Sequence, residues 1–310
     1  MKLLLAGYGG KNAATIGVYN TETHRMEWSG NQPECSFACR HGKLLFGISE
    51  QEPESSVYLF VRAGDGYRLC DQRKITGGLL CHIAYVPQHH LLTGACYGDG
   101  VIFSLKVEKE RFAGQPAYIR QGGRAHCTVP AGPDLLYTAN IAQDKLYRYR
   151  ISAEGLAADG ALSLPKGSGP RHILSDGQEL FIITEYSNEI LWLHKEKLRQ
   201  RISTLPPGYQ GISCASGLCM SQDKRFLYAA NRGADSIAIF KASSEKGLES
   251  VGWQACGSFP RHIALVDGGR YLACANQKAD TVTLMQRENA SGRLSEEVLE
   301  IPFQAPSYIE

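Results

Sequence analysis

A motif returning about every 45 residues constrains this chain more than any other feature. A repeat of that length is one supersecondary unit, and it buries its apolar face only by stacking against neighbouring copies. Three copies are plain at residues 134–149, 225–240 and 270–285. Each reads as a short apolar strand, then Asn-x-x-x-Asp, then a second strand alternating apolar and polar residues. The pairs are Asn140 and Asp144, Asn231 and Asp235, and Asn276 and Asp280. Asn and Asp bond their own backbone and tolerate left-handed geometry, so these six residues are read as hairpin residues.

A further short strand precedes each pair and often carries a histidine. Aligned on that position, Cys35, His82, His126, His172, Gly217, His262 and Tyr308 lie 44 to 47 residues apart. A weaker Gly-x-Leu element follows each pair, as in Gly155-Leu156, Gly247-Leu248 and Gly292-Arg293-Leu294. Four short antiparallel strands per repeat make a propeller blade. Seven anchors therefore predict an all-β, seven-bladed β-propeller occupying residues 1–310 as a single domain. The chain opens on a second strand, Leu3 to Tyr8. It ends on Ala305-Pro306-Ser307-Tyr308-Ile309, which parallels Phe259-Pro260-Arg261-His262-Ile263. The C-terminal segment is thus expected to supply the inner strand of the first blade, pairing edges otherwise open to aggregation. A stacked solenoid would need capping repeats rather than complementary half-repeats, and two unrelated sandwiches would not give even spacing.

Composition narrows the function classes. Thirty-three glycines suit many tight turns. A net charge of +2 without long runs of either sign argues against nucleic-acid and membrane partners. No stretch reaches the roughly 18 apolar residues of a membrane-spanning helix, and Met1-Lys2-Leu3-Leu4-Leu5-Ala6-Gly7 is too short for an export signal. A cytoplasmic location is expected. The ten cysteines are irregularly spaced and form no CxxC pair. They read as buried reduced thiols rather than disulfide or zinc ligands. No amphipathic or heptad segment marks an interface, so the sequence is silent on oligomeric state.

The Gly-His and Trp-Asp pairs of WD40 blades are absent. Other stretches carry a resemblance: Gly169-Pro170-Arg171-His172, Thr184-Glu185-Tyr186-Ser187-Asn188-Glu189, Phe226 to Ile237 with Asn231-Arg232-Gly233 at its centre, and Pro260-Arg261-His262. In these the chain resembles the lactonase-type seven-bladed propellers, which include the bacterial cycloisomerase-like 6-phosphogluconolactonases and the fungal carboxymuconate cyclase. The resemblance covers essentially the whole chain. It implies a His, Arg, Glu, Arg cluster at one mouth of the central channel, which falls by motif on His126, Arg171, Glu185 and Arg232. Substrate-binding roles are expected for Glu50, His82, Tyr97 and Arg261. The chain carries Thr184 where the family has Asn, Gly217 where many relatives have an acidic residue, and Cys96-Tyr97 in place of Asn-Tyr.

The chemistry suits these residue types. Lactone hydrolysis needs a water, a proton acceptor and positive charge near the developing oxyanion. Glu185 or His126 could take the proton, while Arg171 and Arg232 could hold an anionic substrate and the intermediate. The resemblance thus implies cofactor-independent, metal-independent hydrolysis of a small anionic lactone, with 6-phosphogluconolactone first in view. Alternatives stay open: a carboxylated lactone of muconolactone type or its cyclisation, and a non-enzymatic interaction propeller. An inner-strand histidine such as His82, His172 or His262 could simply bond backbone between blades. Arg171 and Arg261 share one context and could be repeat-conforming. Glu185 could be a turn residue paired with an arginine, and Arg232 a solvated turn residue.

Overall fold

Short alternating segments punctuated by turn residues fold into seven four-stranded antiparallel sheets in the computed structural model, which describes residues 1–10 and 13–310. Blades 2 to 7 each use four consecutive strands, and their inner strands are Ala38–His41, Leu80–Val86, Ala125–Pro130, Pro170–Asp176, Cys214–Met220 and Pro260–Val266. Blade 1 is composite: its inner strand is Pro306–Ile309 and its second strand Lys2–Gly7. The two pair antiparallel, with Leu5 opposite Ile309. Leu4 and Glu310 exchange both backbone hydrogen bonds, at 2.7 and 2.9 Å. The expected seven blades and C-terminal closure are both present.

Each sheet is apolar on both faces near its centre, because each is covered by a neighbouring blade on either side. Between blades 5 and 6, for example, Phe181, Ile183 and Trp192 pack with Leu227, Ala229 and Phe240. This explains why second strands such as Phe226–Arg232 are buried along their whole length, in contrast to the alternating outermost strands.

The hairpin aspartates do more than turn the chain. Asp144, Asp235 and Asp280 adopt left-handed backbone angles of 51°, 45° and 56°. Their carboxylates then reach the incoming inner strand of the next blade: Asp144 accepts from the Gly167 and Gly169 N–H groups, Asp235 from Phe259 and Asp280 from Ala305. The buried asparagines tie down the preceding crossover, as where Asn140 donates to the Gly122 carbonyl and Asn231 to the Thr204 carbonyl. The inner strands of blades 5, 7 and 1 are thereby braced at one end, and the candidate site lies at that end.

The inner strands correct the repeat phase. Their register slips between Leu80 and His82, Ala125 and Cys127, Pro170 and His172, and Pro260 and His262. The skipped residue is a bulge, a local insertion that re-aims its side chain. His126 is therefore not the counterpart of His82, His172 and His262. It is the bulge residue of its blade and corresponds to Cys81, Arg171 and Arg261. In blade 2 the counterpart of His82 is Phe37, not Cys35. A single pattern of alternating residues hid this one-residue offset, because an inserted residue leaves composition unchanged while reversing the face.

All ten cysteines are free, five of them fully buried and five partly so. Among the described residues no helix is long and apolar enough to cross a membrane.

Candidate functional site

Two series of positions lie at the braced end of the axis: inner-strand bulge residues, and residues at or just after the end of a second strand. The second series runs Tyr8, Glu50, Tyr97, Ile141, Glu185, Arg232 and Gln277. Together the two series line a cavity of about 170 Å³ bounded by Glu50, Cys81, Tyr97, His126, Arg171 and Glu185, with Arg232 and Arg261 completing the wall. All four residues of the expected cluster meet here, as do Glu50, Tyr97 and Arg261.

Glu185 is the centre of one half. Its Oε2 lies 2.8 Å from Nη2 of Arg232 and 3.0 Å from Nε of Arg171. The second contact is ionic rather than a hydrogen bond, since the buried Nε–H of Arg171 has no well-aimed acceptor. Both arginines are clamped from behind. Arg171 donates to the Ser216 carbonyl at 2.8 Å, and Arg232 to the Cys214 and Ala215 carbonyls at 3.1 and 3.2 Å. Burial alone would raise the Glu185 carboxyl, but Arg171 and Arg232 outweigh it and hold the group below the usual carboxylate value. Burial and the neighbouring Arg232 pull Arg171 down to about 9, against the attraction of Glu185. Glu185 follows Thr184, which ends its strand where blades 4, 6 and 7 have Asn; the Thr184 hydroxyl accepts from the Glu189 N–H and fixes the turn.

The other half is built on Tyr8, which the sequence reading passed over. Its hydroxyl donates to Oε2 of Glu50 at 2.7 Å and accepts from Nη2 of Arg261 at 2.5 Å. Arg261 and Glu50 themselves stay 4.0 Å apart. Burial pushes the Tyr8 phenol well above its usual value, so it remains a donor. The signal for Tyr8 was its place directly after a second strand, the position held by Glu50, Tyr97, Glu185 and Arg232 in other blades.

His126 lies between the halves, 5% exposed. Its Nδ1 is buried without a hydrogen-bond partner. Burial and then the positive field of Arg171 lower its basicity well below the ordinary imidazole value, so it is neutral. Tyr97 stands edge-on to it, with ring centroids 6.0 Å apart.

His82, expected to bind substrate, does not line the cavity. It belongs to a layer beneath, where Phe37, His82, His172, His262 and Tyr308 crowd the axis with centroid separations of 4.3 to 6.4 Å. Its Nδ1 accepts the Thr128 N–H of the next blade at 3.5 Å, as that of His262 accepts the Ile309 N–H at 3.3 Å. Both are braces between blades. Above this floor the axial space shrinks to a cleft of about 10 Å³, the size of a single water.

Three guanidinium groups thus face two carboxylates, leaving positive charge in excess around a small polar pocket. Among the described residues no three His, Cys, Asp or Glu side chains converge as a metal ligand set. Fold and site together define a propeller with an anion-attracting pocket on its axis. The chain belongs to the family described as lactonase, 7-bladed beta-propeller, which it matches over residues 3–310. It is 26% identical to a 6-phosphogluconolactonase of Bacillus subtilis over 282 residues, 83% of this chain and 80% of that one. It is 31% identical to an uncharacterised protein of Lactococcus lactis over 74% of this chain and 73% of that one. Among solved structures it superimposes on a periplasmic gluconolactonase of Pseudomonas aeruginosa with a TM-score of 0.91 at 22% identity, covering 100% of this chain and 98% of the other. A putative 6-phosphogluconolactonase of Bacteroides uniformis gives a TM-score of 0.90 at 21% identity, with coverage of 100% and 98%.

Proposed function

We propose that this protein is a cofactor-independent lactonase that hydrolyses an anionic sugar lactone, 6-phosphogluconolactone first among them, in the cytoplasm. The observation that carries the reading is the pairing of one carboxylate, Glu185, with two clamped guanidinium groups inside a pocket of net positive charge. A scaffold propeller has no need to gather His126, Arg171, Glu185 and Arg232 around one cavity. The relative named for 6-phosphogluconolactone supports the sugar phosphate.

In this mechanism Glu185 accepts a proton from water as the water oxygen bonds to the lactone carbonyl carbon, and the carbonyl oxygen takes up the negative charge. One negative charge leaves the Glu185 carboxylate and one appears on the tetrahedral oxygen. Arg171 and Arg232, released from their partner, then face the new oxyanion, so their stabilisation grows as the reaction proceeds. Collapse of the intermediate breaks the ring C–O bond, and the proton held by Glu185 passes to the departing ring oxygen. Neutral His126, with its unengaged Nδ1, orients the water.

The test is hydrolysis of freshly generated 6-phosphogluconolactone by wild type, Glu185→Gln and Arg171→Ala, with and without a chelator. Chelator-resistant activity that collapses in folded variants is expected. Inactivity of the wild type would overturn this substrate and direct attention to carboxylated lactones.

A further inference from the structure

Arg124 is a fourth guanidinium at the same mouth, and its surroundings differ from those of the other three. It lies two residues before His126 on the crossover into blade 4, exposed to solvent. Among the described residues no carboxylate pairs with it. Its Nη1 donates to the Tyr97 hydroxyl at 3.1 Å, and its Cζ sits 5.2 Å from the centre of the Tyr97 ring. The Tyr186 hydroxyl lies beside the same guanidinium. Arg124 therefore ties the crossover into blade 4 to Tyr97 of blade 3 at the rim, with Tyr186 of blade 5 close by.

The seat of Tyr186 is built for it. Gly169 has a backbone φ of +65°, and a Cβ there would stand 2.7 Å from the Tyr186 ring. Only glycine gives both the left-handed backbone and the room. Tyr97 in turn lines the cavity and meets His126 edge-on. The three side chains form a continuous wall from the reacting region to solvent. They offer one uncompensated positive charge, with five N–H donors in a planar fork, and two hydroxyls that can donate once their arginine contact shifts.

We propose that Arg124, Tyr97 and Tyr186 form a phosphomonoester subsite that selects phosphorylated over unphosphorylated sugar lactones. The inference rests on the lactonase reading and adds where the remote anion is held. Deep in the pocket Arg171 and Arg232 are committed to Glu185, and Arg261 is committed to Tyr8 and Glu50. Among the described residues Arg124 forms no ion pair, and it stands two positions before His126 in the chain, beside Tyr97 of the cavity wall. A guanidinium with flanking hydroxyls suits the tetrahedral oxygens of a phosphate.

The experiment compares kcat/KM for 6-phosphogluconolactone and for glucono-δ-lactone in wild type, Arg124→Gln, Arg124→Lys and Tyr186→Phe. Arg124→Gln should lower the ratio of the two about tenfold, through KM for the phosphorylated lactone, given the strength of a hydrogen bond to a charged group. Arg124→Lys should recover part of it. An unchanged ratio would overturn the subsite. Calorimetric binding of 6-phosphogluconate against gluconate separates this from failure of the lactonase reading. A preference for the phosphorylated acid that Arg124→Gln abolishes supports the subsite even in a protein that hydrolyses neither lactone. Binding of neither acid, or of both equally, would overturn it.

Discussion

The Glu185 carboxylate of blade 5 stands 2.8 Å from the Arg232 guanidinium of blade 6, so the candidate chemistry is assembled only when two blades pack together. Replacing the carboxylate should therefore separate catalysis from folding. Glu185→Gln keeps the shape and a hydrogen-bond acceptor but removes the proton acceptor. We expect kcat to fall by about 10²–10⁴-fold, with circular dichroism unchanged. Retention of more than a tenth of wild-type kcat would move the base elsewhere, with His126 next in line.

The Tyr8 hydroxyl keeps Arg261 and Glu50 apart. In Tyr8→Phe they are expected to close into a direct ion pair, withdrawing the Arg261 charge from the pocket. KM for the anionic lactone should rise about fivefold, the worth of one hydrogen bond, with kcat changed less. Equal KM in wild type and variant would show that Arg261 does not face the ligand.

Acid should destabilise the axial layer. Burial, with the charges of His262 and Arg171, lowers the folded His82 to about 3 from the usual imidazole value of 6.5. The unfolded chain binds a proton near pH 6.5 that the folded chain refuses. The stability this group contributes is thus complete above that pH and is lost as pH falls towards 3, at up to about 1.4 kcal/mol per pH unit. Urea midpoints measured from pH 7 to pH 4 should fall more steeply in wild type than in His82→Gln. Parallel curves would contradict the assignment.

Closure of the ring can be measured at Ile309, which is 1% exposed in the inner strand of blade 1. Ile309→Ala should cost about 2–5 kcal/mol, as a truncation in a packed core does. Val298→Ala, at a position 53% exposed, should stay within about 0.5 kcal/mol. Similar melting temperatures for the two variants would mean that the C-terminal strand contributes little to holding the ring shut.

Most of the architecture was legible in the sequence because strand alternation and the Asn-x-x-x-Asp turn report local geometry that recurs in blade after blade. The C-terminal closure was legible for the same reason, since Pro306-Ser307-Tyr308 repeats Pro260-Arg261-His262. The bulge at His126 was not. A bulge is set by pairing with a neighbouring strand, and nothing within Ala125-His126-Cys127 distinguishes it from straight alternation. The same limit misplaced His82, whose partner, the Thr128 N–H, belongs to another blade. Tyr8 and Arg124 were missed because a lone tyrosine or arginine at a turn is common. Their neighbours Arg261 and Tyr186 lie 253 and 62 residues away in the chain. The convergence of Arg171, Glu185 and Arg232 became available only through the family resemblance, since spacing along the chain does not encode meeting at an axis.

The floor of crowded rings beneath His126 has a kinetic consequence. A site floored in this way has a single doorway, so whatever enters past Arg124 has to leave past it. Under the proposed reaction, opening a lactone converts a neutral ester into a carboxylate, and the departing molecule carries one more negative charge than the arriving one. It must climb out of an electrostatic well that deepened during its own stay. Emptying such a vessel slows as the well deepens, and rising ionic strength, which shallows the well, should quicken it.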